Sequence, residues 1–154
     1  MIQKTDRRPQ GVRAVIFDLD GTLLDTVPDL GASANVALRQ FAMPERPLGD
    51  YRALIGHGIR DLTRQAVPEG TTEERFEQVL AFYLNYYPEH CAEQTAVFPG
   101  IRELIARLTE RGYTLGVLSN KTETTTQRLI AHFFPDAPFR LVWGNNGLRP
   151  LKPA

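Results

Sequence analysis

Apolar positions recur with two different spacings along this chain, and the change from one to the other marks its organisation. Val12 to Phe17 is a short, nearly all-apolar, β-branched run, which predicts a strand buried on both faces, as in a parallel α/β sheet. From Pro28 the spacing turns helical. Leu30, Ala34, Ala37, Leu38 and Phe41 recur at helical intervals, Pro28 suits a helix start, and Met43-Pro44 ends the helix. Asp50 to Ile55 and Ile59 to Val67 read as two short helices broken at Gly56-His57-Gly58. Thr71, with Glu74 three residues later, matches a capping box, and Phe76, Val79, Leu80, Tyr83, Leu84 and Tyr87 continue at helical spacing. Residues 26 to about 93 therefore read as an all-helical block.

From Val97 strands and helices alternate again. Pro99-Gly100 opens a helix carrying Ile101, Leu104, Ile105 and Leu108, Gly112 ends it, and Tyr113 to Leu118 reads as a strand. A helix from Glu123 to Phe133 and a strand near Phe139 to Trp143 follow. This order is βαβαβ, which predicts a parallel sheet with right-handed crossovers.

The chemistry stands out where the first strand ends. Asp18-Leu19-Asp20-Gly21-Thr22 puts two carboxylates two residues apart, and no packing requirement asks for that. Ligands of open α/β sheets bind outside the carboxyl ends of the strands. Residues i and i+2 of an extended segment point the same way, so Asp18 and Asp20 can converge on one small charged object. Their mutual repulsion calls for a compensating cation or shared proton, and a hard oxygen-seeking ion such as Mg²⁺ suits them. Gly21 and Thr22 supply a turn whose amides can face an anion.

With these residues in view, the chain resembles the haloacid dehalogenase (HAD) superfamily of phosphohydrolases, whose first signature is Asp-x-Asp-Gly-Thr behind a hydrophobic strand. Leu118-Ser119-Asn120-Lys121 looks like the second signature, a strand ending in Ser or Thr, and Lys152-Pro153 looks like the third. Asn120-Lys121, Asp25-Thr26-Val27-Pro28-Asp29 and Ile55-Gly56-His57-Gly58-Ile59-Arg60 look most like the phosphoglycolate phosphatase branch. The resemblance implies a HAD-like Rossmannoid core formed by residues 1–25 and 94–154, with an all-helical cap inserted at 26–93. It also implies a departure: family members continue with further strands and a fourth, acidic, metal-holding motif, and no such acidic pair stands here. The expected core thus lacks its C-terminal strands, leaving the first strand as an uncovered edge open to self-association.

The same resemblance assigns roles, each beside a plainer one. Asp18 is the expected nucleophile, forming an aspartyl-phosphate, and otherwise a paired buried carboxylate. Asp20 is the expected proton donor and acceptor, and otherwise a turn cap before Gly21. Asp18 and the main-chain carbonyl of Asp20 would hold Mg²⁺. Thr22 either contacts phosphate or caps its turn. Ser119 and the Asn120 amide would bind phosphoryl oxygens at a helix start, a role compatible with N-capping. Lys152 would neutralise charge on the phosphoryl group, and otherwise is a solvated lysine near the chain end. Lys121 is a substrate contact or a surface charge. Gly56 and His57 form a flexible break facing the cleft, and Arg60 pairs with a substrate carboxylate or lies solvated. Tyr83, Tyr86 and Tyr87 look like cap packing, while His90, His132 and Cys91 lack metal-ligand spacing.

The implied reaction is Mg²⁺-dependent hydrolysis of a small phosphorylated acid, 2-phosphoglycolate to glycolate and phosphate, with a large loss of activity expected for want of the fourth motif. The alternatives are a non-catalytic, self-associating HAD fragment and a phosphatase or mutase acting on another phosphorylated substrate. Bulk properties narrow the partners. Lys plus Arg equals Asp plus Glu at 18 each, so no net field recruits nucleic acid or an anionic membrane. One cysteine, Cys91, and a basic first ten residues that lead into no apolar leader suggest a cytoplasmic setting.

Overall fold

The computed structural model describes residues 11–153; the basic first ten residues and Ala154, the outer ends of the expected core, lie outside the described residues. The chain runs β1 (Ala14–Phe17), β2 (Leu24–Asp25), α1 (Val27–Gln40), a 3₁₀ helix (Leu48–Leu54), α2 (Ile59–Ala66) and α3 (Glu73–His90). It continues through β3 (Ala96–Val97), α4 (Ile101–Glu110), β4 (Thr114–Thr122), α5 (Glu123–Phe133) and β5 (Phe139–Asn145).

Strands β1, β4 and β5 form one sheet in the order β1-β4-β5, all parallel, with Ala14 opposite Thr114 and Phe17 opposite Val117. Parallel neighbours need crossover connections, and the helices supply them. Pairing of β4 with β5 shifts register between Leu115 opposite Phe139 and Gly116 opposite Leu141, runs regularly to Leu118 opposite Trp143, and resumes at Thr122 opposite Asn145. Ser119, Asn120 and Lys121 occupy the irregular stretch between, where side chains can be re-aimed out of the strict alternation.

Two expectations about strands change here. Among the described residues β1 pairs on one side only, and along it Ala14 and Ile16 (54% exposed) face outward while Val15 and Phe17 turn toward the core. The strand is buried on one face, not two. β4 runs on to Thr122 instead of stopping at Leu118, because the pairing resumes beyond the irregularity.

A second, two-stranded antiparallel sheet pairs Leu24 with Val97 and Asp25 with Ala96. It is too short to show in a periodicity, yet it clamps together the two points where the helical block leaves and rejoins the sheet. Buried Asp29, in the first turn of α1, accepts hydrogen bonds from the Gln94 and Thr95 amides at 2.8–3.0 Å, which reinforces that junction.

Within the block, Leu30, Ala34, Ala37 and Leu38 of α1 and Phe76, Val79, Leu80 and Tyr83 of α3 are all buried in one continuous core. Each such large side chain contributes on the order of 1.5–3 kcal/mol on leaving water. The Tyr83 hydroxyl donates to the Leu30 carbonyl at 3.0 Å, and Tyr51 donates to Asn35 Oδ1 at 2.7 Å. Residues 48–54 are 3₁₀ rather than α-helical. The cap of α3 falls at Thr72, whose hydroxyl accepts from the Arg75 amide, whereas Thr71 turns back to the Pro68 carbonyl.

Candidate active site

The carboxyl ends of β1 and β4 lie side by side in the sheet, so Asp18, just past β1, faces the Ser119–Lys121 segment of β4. A cleft opens there, lined by Asp18, Asp20, Ser119, Asn120 and Lys121 from the sheet side. Leu30, Leu54, Ile55, Gly56, Gly58, Ile59, Leu62 and Tyr87 line it from the helical side. Charge and hydrogen-bond donors therefore sit on the floor, and an apolar roof comes from the helices.

Asp18 Oδ1 accepts the Leu19 amide at 2.7 Å and lies 3.0 Å from Lys152 Nζ. No protein group among the described residues holds Oδ2, and the side chain is 43% exposed toward the cleft. An accessible, oriented carboxylate beside an ammonium is what attack on phosphorus requires.

Lys152 is held three ways. Its ammonium also donates to the Leu118 carbonyl at 2.7 Å, its amide donates to Asn120 Oδ1 at 2.8 Å, and its carbonyl accepts from Asn120 Nδ2 at 3.1 Å. The loop leading to it is tied down by Glu123, which accepts from Arg149 and Asn146. Lys152 is thus fixed by partners, though its side chain remains 34% exposed.

Asp20 is more enclosed, its side chain 12% exposed. Its Oδ1 accepts from Thr26 Oγ1 at 2.6 Å and lies 3.1 Å from Lys121 Nζ. Lys121 is no surface charge: its side chain is 6% exposed, and its ammonium also donates to the Tyr87 hydroxyl at 2.9 Å. Burial first, and the Asp20 carboxylate second, push the Tyr87 hydroxyl well above its ordinary range, so it stays neutral and accepts.

The resemblance implies Asn120 at a helix start, but α5 begins three residues later. Its side chain is instead a tie, donating to the Gly56 carbonyl at 2.8 Å while holding Lys152. Ser119 is buried, lines the cleft, and its Oγ accepts the Lys121 amide at 3.2 Å; Thr122, not Ser119, stands at the cap of α5.

Other expected contacts are not assembled. Thr22 is exposed, lies outside the cleft lining and donates its amide to Leu19 O, a turn role. Gly56 and Gly58 line the cleft, both at positive φ (119° and 91°) that favours glycine, but His57 is exposed and outside the lining. Arg60 points along the outer face, paired with Glu77 and Glu73; the Glu77 hydrogen bond raises its pKa further.

The residues missed by sequence reasoning are Thr26, Tyr87 and the aliphatic roof. From its spacing Tyr87 reads as packing alone. It sits among apolar residues at helical spacing, so its hydroxyl gave no separate signal. Among the described residues no group of three His, Cys, Asp or Glu side chains gathers as a metal centre, and no helix is long and apolar enough to cross a membrane.

Comparison with known proteins decides the family. The sequence model for "Haloacid dehalogenase-like hydrolase" matches residues 15–154. The chain belongs to that family. Among relatives, phosphoglycolate phosphatase of Haemophilus influenzae is 33% identical over 144 residues, 89% of this chain and 64% of its own length. Phosphoglycolate phosphatase 1 of Pseudomonas aeruginosa is 34% identical over 146 residues, 92% and 53%. A crystal structure described as a predicted phosphoglycolate phosphatase from Haemophilus somnus superposes with a TM-score of 0.85 at 30% identity, covering 92% of this chain and 66% of its own. The HAD-like chain thus spans roughly half to two thirds of the length of these relatives.

Proposed function

We propose that this HAD-like chain carries the active site of a phosphatase for a small phosphorylated acid, 2-phosphoglycolate being the substrate its relatives' names suggest. The observation that carries the reading is Lys152 Nζ 3.0 Å from Asp18 Oδ1 at the carboxyl end of β1, with Ser119 and Asp20 lining the same cleft.

In the first step Asp18 Oδ2 attacks phosphorus, and the bond from phosphorus to the leaving oxygen breaks. Asp20 Oδ2 gives its proton to that oxygen, so glycolate departs neutral at the hydroxyl. In the second step water attacks the aspartyl-phosphate, returns a proton to Asp20, and releases phosphate with Asp18 regenerated. Lys152 balances charge on the phosphoryl oxygens, and Ser119 donates to one of them. The aliphatic roof keeps bulk water from the reacting atoms.

The partly exposed Asp18 carboxylate and the main-chain carbonyl of Asp20 are hard oxygen donors of the kind that fit Mg²⁺, an ion that keeps several waters and takes few carboxylates. Asp18 and the main-chain carbonyl of Asp20 would hold it, and it would supply charge neutralisation at the phosphoryl group. Residues 26–93 serve as the cap in this reading, and a lone cysteine agrees with a cytoplasmic setting. Self-association through β1 is the second reading, favoured by exposed Ile16 on a strand that is paired on one side only among the described residues; elution from a sizing column as a single monomeric species would remove it.

The test is Mg²⁺-dependent phosphate release from 2-phosphoglycolate, with Asp18→Asn alongside. Turnover abolished in the variant supports the nucleophile, and equal release from both chains refutes it.

A further inference from the structure

The cleft holds a buried cation that the reaction as written does not use. Lys121 Nζ is in contact with Asp20 Oδ1 at 3.1 Å and donates to the Tyr87 hydroxyl at 2.9 Å, 4.6 Å from the centre of that ring. A buried ammonium is costly unless its partners are well placed, and here they come from two separate parts of the fold. Asp20 follows β1, and Tyr87 belongs to the last turns of α3. Both partners of Asp20, the Lys121 ammonium by ion pairing and Thr26 Oγ1 by a donated hydrogen bond, take the same oxygen, Oδ1. Among the described residues nothing holds Oδ2.

We propose that Lys121 is a positioning residue: clasped by Tyr87, it fixes Asp20 through Oδ1 so that Oδ2 faces the leaving oxygen, tying proton transfer to the seating of α3. The idea rests on the proposed phosphatase reaction and assigns Lys121 no contact with the substrate. It also explains why a lysine, with a compact charge and three donors on one small head, suits the place: the charge faces Asp20 while a donor reaches Tyr87. The face of the Tyr87 ring adds attraction to the same ammonium.

A positioning role on the proton donor has a signature that loss of binding or folding lacks. A leaving group that departs readily without a proton needs no donor, whereas an alkoxide does. In Lys121→Met, phosphate release from 2-phosphoglycolate should fall at least about tenfold further than release from p-nitrophenyl phosphate, because proton donation is worth ~10²–10⁴-fold. Tyr87→Phe, which keeps the ring and removes the hydroxyl, should show the same bias to a lesser degree. Equal losses on both substrates overturn the proposal.

A second measurement is independent of turnover. The chain has three lysines, Lys4, Lys121 and Lys152, so trace acetylation of the folded protein read by mass spectrometry separates them. Lys121, its side chain 6% exposed against 34% for Lys152, should react at least about tenfold more slowly than Lys152, as expected for the more buried of two partnered ammoniums, and Tyr87→Phe should speed it. Labelling of Lys121 at the Lys152 rate overturns the clasp whatever the kinetics. Absence of phosphate release from the unaltered chain would overturn the phosphatase reading, and the positioning role with it, even if labelling shows the clasp intact.

Discussion

Asn120→Ala separates the architecture of the site from its chemistry. The residue is 9% exposed and its side chain makes three hydrogen bonds, donating to the Gly56 and Lys152 carbonyls and accepting from the Lys152 amide. At about 1 kcal/mol each, these set an upper figure of about 3 kcal/mol. Gly56 is exposed and Lys152 only partly buried, so the groups released by the substitution regain water. The expected loss of stability is therefore about 1–2 kcal/mol, near tenfold in the folding equilibrium. Activity should suffer more. Without its backbone tie Lys152 keeps only its own contacts to Leu118 O and Asp18, and a misplacement of about 1 Å costs on the order of 10²-fold. Urea unfolding reads the first effect, and phosphate release from 2-phosphoglycolate reads the second. A variant with an unchanged midpoint and unchanged turnover would refute the assignment of Asn120 as the tie. A lowered midpoint with full turnover would show that Lys152 is positioned without it.

Three further outcomes follow from particular contacts. A methyl group at Gly144 would meet the Lys121 carbonyl and the Glu123 amide at 2.6 Å, so Gly144→Ala should cost about 3 kcal/mol or more by urea unfolding; a wild-type midpoint would contradict that packing. Burial pushes the Cys91 thiol pKa up, so reaction with a chromogenic disulfide in native buffer should be slow and should accelerate as urea unfolds the chain; immediate native labelling would contradict the burial. The Arg128 hydrogen bond holds the Glu89 carboxyl below its ordinary value of 4.5. A depressed native pKa means stability present above the unfolded value and lost as pH falls through the native one. Glu89→Gln should therefore flatten the acid limb of the stability curve below about pH 4.5, slightly, because the pair is exposed; an unaltered slope would remove this contribution.

Local rules carried much of the molecule. The spacing of Leu30, Ala34, Ala37 and Leu38 announces α1, and Pro99-Gly100 and Gly112 bracket α4, because a helix needs only its own residues to declare an apolar face. The Asp18-Leu19-Asp20-Gly21-Thr22 run is legible for a similar reason: two carboxylates at i and i+2 behind an apolar strand have no packing explanation. The resemblance to the HAD superfamily rests on those local runs, and the family comparison agrees with it.

What tertiary structure alone decided is which side chains meet. Arg60 and Lys121 are both cations beside glycine- or asparagine-containing runs, yet Arg60 turns outward to Glu77 and Lys121 inward to Asp20. Sequence cannot separate them, since the choice depends on the pairing irregularity in β4 and on where α3 lands. Tyr87 reads as core and proves to be a hydrogen-bond partner, Asn120 reads as a helix cap and proves to be a brace, and Ile16 reads as buried and stands on an open face. Helices and motifs arise from interactions within a few residues, which a linear pattern records. Burial, ion-pair choice and the convergence of β1, β4 and the 152 loop arise between residues up to about a hundred or more positions apart, and only the packed chain brings them together.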